Sequence, residues 1–285
     1  MIQQILAQWQ LDVTDIRGVE DSHSSTVYQC TLASGQQVFV KIPFSKVKFE
    51  RELETYRLLE GRVPIPELLD VWDGNDDSPG AFLLSKVEGE PLVMGVDPRL
   101  AYQVGALHAS LHSVTPRVNE TIDNEFDKWA EFVDEKFYLF AEAVVQVLDE
   151  KTYRQSITLF EAWKKELPAP DGPAFLHMDF RPANILVNGD VVTGVIDFES
   201  VRFGSTEVDF TKIHRDFLSL DPMNTQEFRK GYESVRPMIE LDVVLPFYQF
   251  TDAFNSMGWC VQRGLEKHRG FYEQNEGILR GLLAK

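Results

Sequence analysis

His177, Asp179, Asn184 and Asp197 fall inside one stretch, Pro173 to Ser200, PAFLHMDFRPANILVNGDVVTGVIDFES. Two carboxylates and an amide suit chemistry on phosphate esters. Hard oxygens hold magnesium with few protein ligands, and a further carboxylate can accept the proton of an attacking hydroxyl. Asn184 stands five residues after Asp179. Ala174 to Leu176 reads as a short apolar strand that delivers His177, Met178 and Asp179 into a loop. Ile185 to Val187 and Val191 to Ile196 read as a hairpin closed by Asn188-Gly189. That hairpin sets Asn184, just before one strand, beside Asp197, just after the other. Each residue taken singly is also one that turns favour; the set as a whole points to chemistry.

The other half of such a site must come from upstream. Val27 to Leu32 and Val38 to Ile42 are β-rich runs separated by Ala33-Ser34-Gly35-Gln36, a hairpin signal, and Lys41 lies on the second run. Alone, Lys41 reads as a solvated strand lysine. The helix that follows starts at Ser45 as N-cap. It carries Phe49, Leu53, Tyr56 and Leu59 at helical spacing and stops at Gly61 and Pro64. Its acids Glu50, Glu52 and Glu54 can turn toward Lys41. Ahead of the hairpin, Gly18 to Thr26 is rich in hydroxyls, with Ser22, Ser24 and Ser25. This is either an ordinary turn or a loop whose hydroxyls and N–H groups face phosphate.

The remaining segments supply support. Residues 2 to 10 form a short amphipathic helix, Ala81 to Val87 an apolar strand, and Pro98 to His112 a helix on which His108 and His112 read as satisfied core residues. Phe126 to Val147 steps by three or four, and Tyr153 to Trp163 suggests another helix. Between Glu120 and Glu150 ten acids stand against Lys128 and Lys136. A helix aromatic on one side and acidic on the other fits the wall of a pocket for a bulky polycation, and equally a core face with a solvated back. Val243 to Val261 gives a helical stripe, and the tail from Glu266 is expected to be helical.

Composition bounds the rest. A chain of 285 residues, 44% hydrophobic, has material for a sizeable core. The formal charge of -17 argues against a nucleic-acid partner and accommodates a cationic one. No apolar run is long enough for a membrane span and MIQQILAQWQ has no basic leader, so a cytoplasmic protein is expected, as monomer or homodimer. Cys30 and Cys260 form no motif and read as reduced structural thiols.

His-x-Asp, Asn five residues on, and a later Asp-Phe is the spacing of the kinase catalytic loop. HMDFRPANILV followed by GVIDFES resembles the signature of the aminoglycoside phosphotransferase and choline kinase group, and FERELETYRLLEGRVPIPELL is similar to the corresponding helix and its exit. The resemblance spans nearly the whole chain. It implies an α+β, two-lobed protein-kinase-like fold, with a small antiparallel-sheet lobe over residues 1–87 that binds nucleotide. A larger, mainly helical lobe over 88–285 would carry catalysis and the acceptor. It further implies ATP and Mg2+ as cofactors, Asp179 as catalytic base, and Asn184 and Asp197 as metal ligands. Lys41 would hold phosphates, positioned by Glu52, with Ser24 and Ser25 near the phosphates. The carbonyl of Ser85 and the N–H of Val87 would hold the purine, and Leu84 would back it. Asp209 would bond the backbone of the catalytic loop, while Arg181 would neutralise phosphate or brace that loop. Two positions depart from the pattern: Met178 stands where the group usually has Gly, and only Gly18 remains of a glycine loop.

The expected activity is therefore transfer of a γ-phosphoryl group to a hydroxyl of a small molecule. An aminoglycoside-like or other cationic acceptor fits the acidic helix best, with macrolides, choline, homoserine or a sugar as alternatives. A nucleotide-binding regulator without turnover would be expected to lack Asp179, Asn184 or Asp197. A protein kinase would carry the glycine loop and an Ala-Pro-Glu segment, both missing here.

Overall fold

A strand's period of two sends neighbouring side chains to opposite faces, and the N-terminal sheet is built on that rule. The computed structural model describes residues 1–19, 25–93, 97–117 and 121–284. Strands β1 (Val13–Gly18), β2 (Thr26–Leu32), β3 (Gln37–Ile42), β4 (Leu68–Trp72) and β5 (Ala81–Ser85) form an antiparallel sheet in the order β1-β2-β3-β5-β4. Val38, Val40 and Ile42 of β3 pack with Ile5 and Leu6 of helix α1 (Ile2–Gln8) on one face. Phe39 joins the core on the opposite face, and Lys41, in phase with it, reaches helix α2 (Lys46–Leu59). Ser45 caps α2, its hydroxyl accepting the Lys48 N–H at 3.4 Å. The predicted strand from Ala81 to Val87 ends at Ser85, two residues early.

Beyond the sheet the chain is mostly helical. Strand β6 (Glu90–Pro91) and helices α3 (Pro98–His112), α4 (Trp129–Val144) and α5 (Glu150–Trp163) lead to the short strand β7 (Ala174–Leu176). The hairpin β8 (Ile185–Asn188) and β9 (Val191–Val195) forms as its Asn188-Gly189 turn predicts, with Gly189 at φ 61°. Strand β10 (Arg202–Gly204) pairs antiparallel with β7. Helices α6 (Phe210–Asp216), α7 (Pro222–Glu233), α8 (Leu241–Arg263) and α9 (Arg269–Leu283) complete the fold.

Two further cores hold these parts together. The first joins α2 and the sheet to α3, strands β7 to β10 and α7 through Phe49, Phe82, Phe198, Phe203, Phe210 and Phe228. The second stacks α4, α5, α8 and α9, with Phe137 lying flat on Phe160 at 3.8 Å between centroids. Helices α3 and α7 touch backbone to backbone: a Cβ at Gly105 or Gly231 would collide with the carbonyl of Phe228 or Tyr102. This close approach fixes α3, whose His108 and His112 support the candidate site. No helix among the described residues is long and apolar enough to cross a membrane. Cys30 and Cys260 are both buried free thiols, as expected.

Candidate active site

Strand β7 ends at Leu176, and the next three residues make a tight, fully supported turn. His177 is buried; its Nε2 lies 3.0 Å from the Ile196 carbonyl, and its Nδ1 accepts the Asp179 N–H at 3.3 Å. Met178 adopts φ 66° and Asp197 φ 71°, left-handed conformations that cost an L residue about 1–2 kcal/mol each. The loop is held there by Asp209, whose carboxylate accepts the N–H groups of His177 at 2.9 Å and Met178 at 2.6 Å. Asp209 also meets Nε2 of His108 and of His112, each at 3.2 Å. Burial opposes its charge, but the two histidine bonds overcome this and hold the carboxyl well below the usual range. Burial, reinforced by His112, pushes His108 down to about 3, and burial lowers His112 as well. Both rings are therefore neutral donors to one carboxylate. A left-handed residue between His177 and Asp179 explains why glycine suits the position. Met178 tolerates it by packing its side chain onto the core of α4 and α8.

The hairpin converges as its sequence predicts, and Ile196 N donates to the Asn184 carbonyl at 3.0 Å. Asn184 Nδ2 donates to the Asp179 carbonyl and to Asp179 Oδ2, both at 2.9 Å. Its Oδ1 makes no hydrogen bond among the described residues. Asp197 Oδ1 accepts Lys41 Nζ at 3.0 Å while its side chain stays 44% exposed. Two hard oxygen donors, one on each residue, are thus free, a donor set that suits magnesium.

Lys41 Nζ lies 2.7 Å from Glu52 Oε1, 3.0 Å from Asp197 and 3.6 Å from Glu199. Burial works against its charge, but Glu52, Asp197 and Glu199 together carry the ammonium well above the ordinary lysine range. Glu52 is fully buried with one cation and two like charges nearby. Burial therefore pushes its carboxyl up to about 7, against the pull of Lys41. For Asp197 burial also opposes charge, and Lys41 wins, lowering its carboxyl. Of the three candidate acids on α2, Glu52 is the one that meets Lys41.

Ahead of β2, Ser25 is buried with its hydroxyl bonded to Glu199, while Ser24 lies outside the described residues. Ser85 closes β5, its N–H donating to the Glu67 carbonyl at 2.9 Å. Val87 lies past the strand, its side chain over Gly194 of β9. Leu84 is buried in the core behind them.

Several groups at the site have no warning in the sequence. Glu199, two residues beyond Asp197, binds Lys48 at 2.9 Å and shares Lys41. Lys212 of α6 reaches Asp179 Oδ1 at 2.6 Å, beside Arg181, whose bracing of the loop the resemblance implies and whose Nε lies 3.1 Å from Asp179 Oδ2. A lysine on a later helix carries no local motif, so only the tertiary fold brings it here. The acids of α4 take the solvated alternative: Glu131, Glu135 and Glu142 are exposed, and Asp134 pairs with Lys164 at 2.9 Å.

Residues 15–239 match the profile of the phosphotransferase enzyme family. A search of curated protein sequences finds no match. Among solved structures, the GDP complex of wild-type aminoglycoside 2'-phosphotransferase-IIIa superposes with a TM-score of 0.77 at 16% identity, covering 99% of this chain and 97% of that one. A thermostable mutant of aminoglycoside phosphotransferase APH(4)-Ia gives 0.72 at 15% identity, over 100% of this chain and 98% of that one. The macrolide 2'-phosphotransferase of Brachybacterium faecium gives 0.67 at 15% identity, over 98% and 96%. At such identities these likenesses speak to the fold, which is the two-lobed kinase-like one.

Proposed function

This chain belongs to the phosphotransferase enzyme family, and from that membership we propose that it moves the γ-phosphoryl group of ATP, with magnesium, to a hydroxyl of a small molecule. One observation carries the reading. Lys41 of the sheet bonds Asp197, Asn184 bonds Asp179, and the backbone bond from the Ile196 N–H to the Asn184 carbonyl sets the two pairs side by side. Asp179 accepts the proton of the acceptor hydroxyl. Asn184 and Lys212 fix the carboxylate's orientation, and Arg181 braces the same oxygen that Asn184 holds.

Lys41, anchored by buried Glu52, offers its charge to the nucleotide phosphates in place of Asp197. The free oxygens of Asn184 and Asp197 are the residues' means of holding magnesium, which when bound neutralises phosphate charge. The backbone of Ser85 and Val87 takes the purine, and the segment of Ser24 and Ser25 covers the phosphates. We assign residues 1–87 to the nucleotide lobe and 88–285 to catalysis and acceptor binding. Catalysis then comes from positioning and electrostatic stabilisation, since phosphoryl transfer leaves little covalent work to the protein.

Calorimetric titration with ADP, with and without magnesium, tests this. Asp197→Asn is expected to weaken the magnesium-dependent component by about tenfold or more. Equal magnesium dependence in the two proteins would contradict the assignment.

A further inference from the structure

The charges that α4, α6 and β10 bring toward Asp179 bear on what the acceptor is. Strand β10 places Arg202 opposite Leu176, the residue that opens the catalytic loop. Phe132 of α4 lies between two cations, with Arg202 Cζ 4.6 Å and Lys136 Nζ 5.8 Å from its ring centroid. Lys136 is close enough to Arg202, Asp252 and Lys212 to feel their charges, and Lys212 touches Asp179. Met178 packs on the same apolar group as Phe132.

Pairing off these charges leaves a remainder. Glu125 is engaged by Arg202 at 3.5 Å, and Asp216 and Asp252 are both engaged by Arg215, at 2.6 and 3.1 Å. Asp179 is engaged by Lys212 and Arg181. Lys136 makes no ion pair or hydrogen bond among the described residues, and the buried Nε of Arg202 has no acceptor. A half-buried ammonium without a counter-ion is costly unless a ligand supplies one. Burial, followed by the repulsion of Arg202, accordingly lowers Lys136 to about 8. A polycationic acceptor would have to sit against these cations, while the acids of α4 face solvent or pair elsewhere.

We propose that the acceptor is a small hydroxy compound bearing an anionic group, which Lys136 and Arg202 bind while its hydroxyl is presented to Asp179. This rests on the phosphotransferase reading and names the substrate class for that same site. Lys212 bonds Asp179 at 2.6 Å and is near enough to repel Lys136, so it connects the hydroxyl end of the site to the anion end. Phe132 and Met178 give the intervening carbons an apolar wall.

The test uses the full-length protein and matched pairs of short hydroxy acids and their primary amides, with an aminoglycoside added. In the magnesium-ATP assay, each hydroxy acid that is turned over is expected to exceed its amide in kcat/KM by about tenfold, the worth of one well-placed charge-assisted contact. That preference collapses in Lys136→Met and survives in Lys136→Arg. The loss falls on the hydroxy-acid KM, not on the nucleotide KM. Turnover that favours the amide or the aminoglycoside, or a preference untouched in Lys136→Met, overturns the inference and leaves the phosphotransferase reading standing.

A second readout needs no turnover. In protein carrying 13C-dimethylated lysines, the Lys136 signal, assigned from its loss in Lys136→Met, is followed by NMR titration. Hydroxy acids should raise its midpoint, while Arg202, Lys212 and Asp252 stay as the fixed charges facing it. Amides should leave it in place. No shift with any hydroxy acid overturns the proposal. A shift without phosphoryl transfer to any compound supports the anion site and counts against the phosphotransfer reading alone.

Discussion

His108 ties the stability of the catalytic loop to pH, and the size of the effect follows from its surroundings. Its ring is fully buried and stacked on Phe180 at 4.0 Å between centroids. Nε2 faces Asp209, and Nδ1 has no partner. A second proton would create a buried donor with no acceptor, which is why burial lowers the ring to about 3 from an ordinary value of 6.5. The unfolded chain therefore binds a proton below pH ~6.5 that the folded chain refuses, so stability falls as pH drops. At ~1.4 kcal/mol per pKa unit, acidification from about pH 7.5 to about pH 5.5 removes about 1 kcal/mol through this ring. Glu52, raised to about 7, acts in the opposite sense, because the folded state takes up its proton before the unfolded chain does.

His108→Gln isolates the first effect. It retains an N–H near Asp209, does not titrate, and leaves Glu52 as it was. Urea denaturation at the two pH values should show the wild-type midpoint falling relative to the variant's by about 0.3 M, for a slope of ~3 kcal/mol/M. If both midpoints move in parallel, His108 is not a neutral buried ring and the argument for the Asp209 network fails.

Other outcomes follow from the same contacts. Lys41→Met leaves Glu52, Asp197 and Glu199 without their shared cation. It should cost about 3–5 kcal/mol, roughly 10 °C in Tm, with part recovered in the Lys41→Met/Glu52→Gln double variant; thermal denaturation of the three proteins checks this. Asp209→Asn exchanges an acceptor oxygen for a donor among four donors. A loss of about 2–4 kcal/mol is expected, and kcat should fall as Met178 relaxes from its left-handed conformation; chemical denaturation and steady-state kinetics measure the two. Gly231→Ala drives a methyl into the Tyr102 carbonyl and should destabilise by about 1–3 kcal/mol. Gly277→Ala, in open space on α9, should stabilise by about 0.5–1 kcal/mol. Equal Tm values for these two alanine variants would contradict the close α3–α7 contact.

The convergence of Asp179, Asn184 and Asp197 was legible because it is local. A strand, a loop and a hairpin within Pro173 to Ser200 fix Asp179, Asn184 and Asp197 by turn chemistry and a period of two. Lys41 and three candidate acids were legible through strand and helix phase, the family resemblance singled out Glu52, and the fold turns Glu52 inward onto Lys41. The strand ends at Ser85 because polar Ser85 and Lys86 interrupt the apolar run before Val87. Lys212, Lys136 and Arg202 were hidden for a different reason. Each is a cation on an element defined by its apolar face, and only packing decides which way it turns. Charge counting over 120–150 leaves a pocket wall and a solvated back equally open, because a sum over residues cannot separate the two faces of a helix. Glu131, Glu135 and Glu142 are exposed.

Phosphate transfer from radiolabelled ATP to a panel of small hydroxyl compounds, in wild type and Asp179→Asn, with ADP affinity measured in parallel, tests the central claim most directly. Turnover should drop by about 10² to 10⁴-fold in the variant while nucleotide affinity is retained. Transfer at the wild-type rate in Asp179→Asn would remove Asp179 as the base.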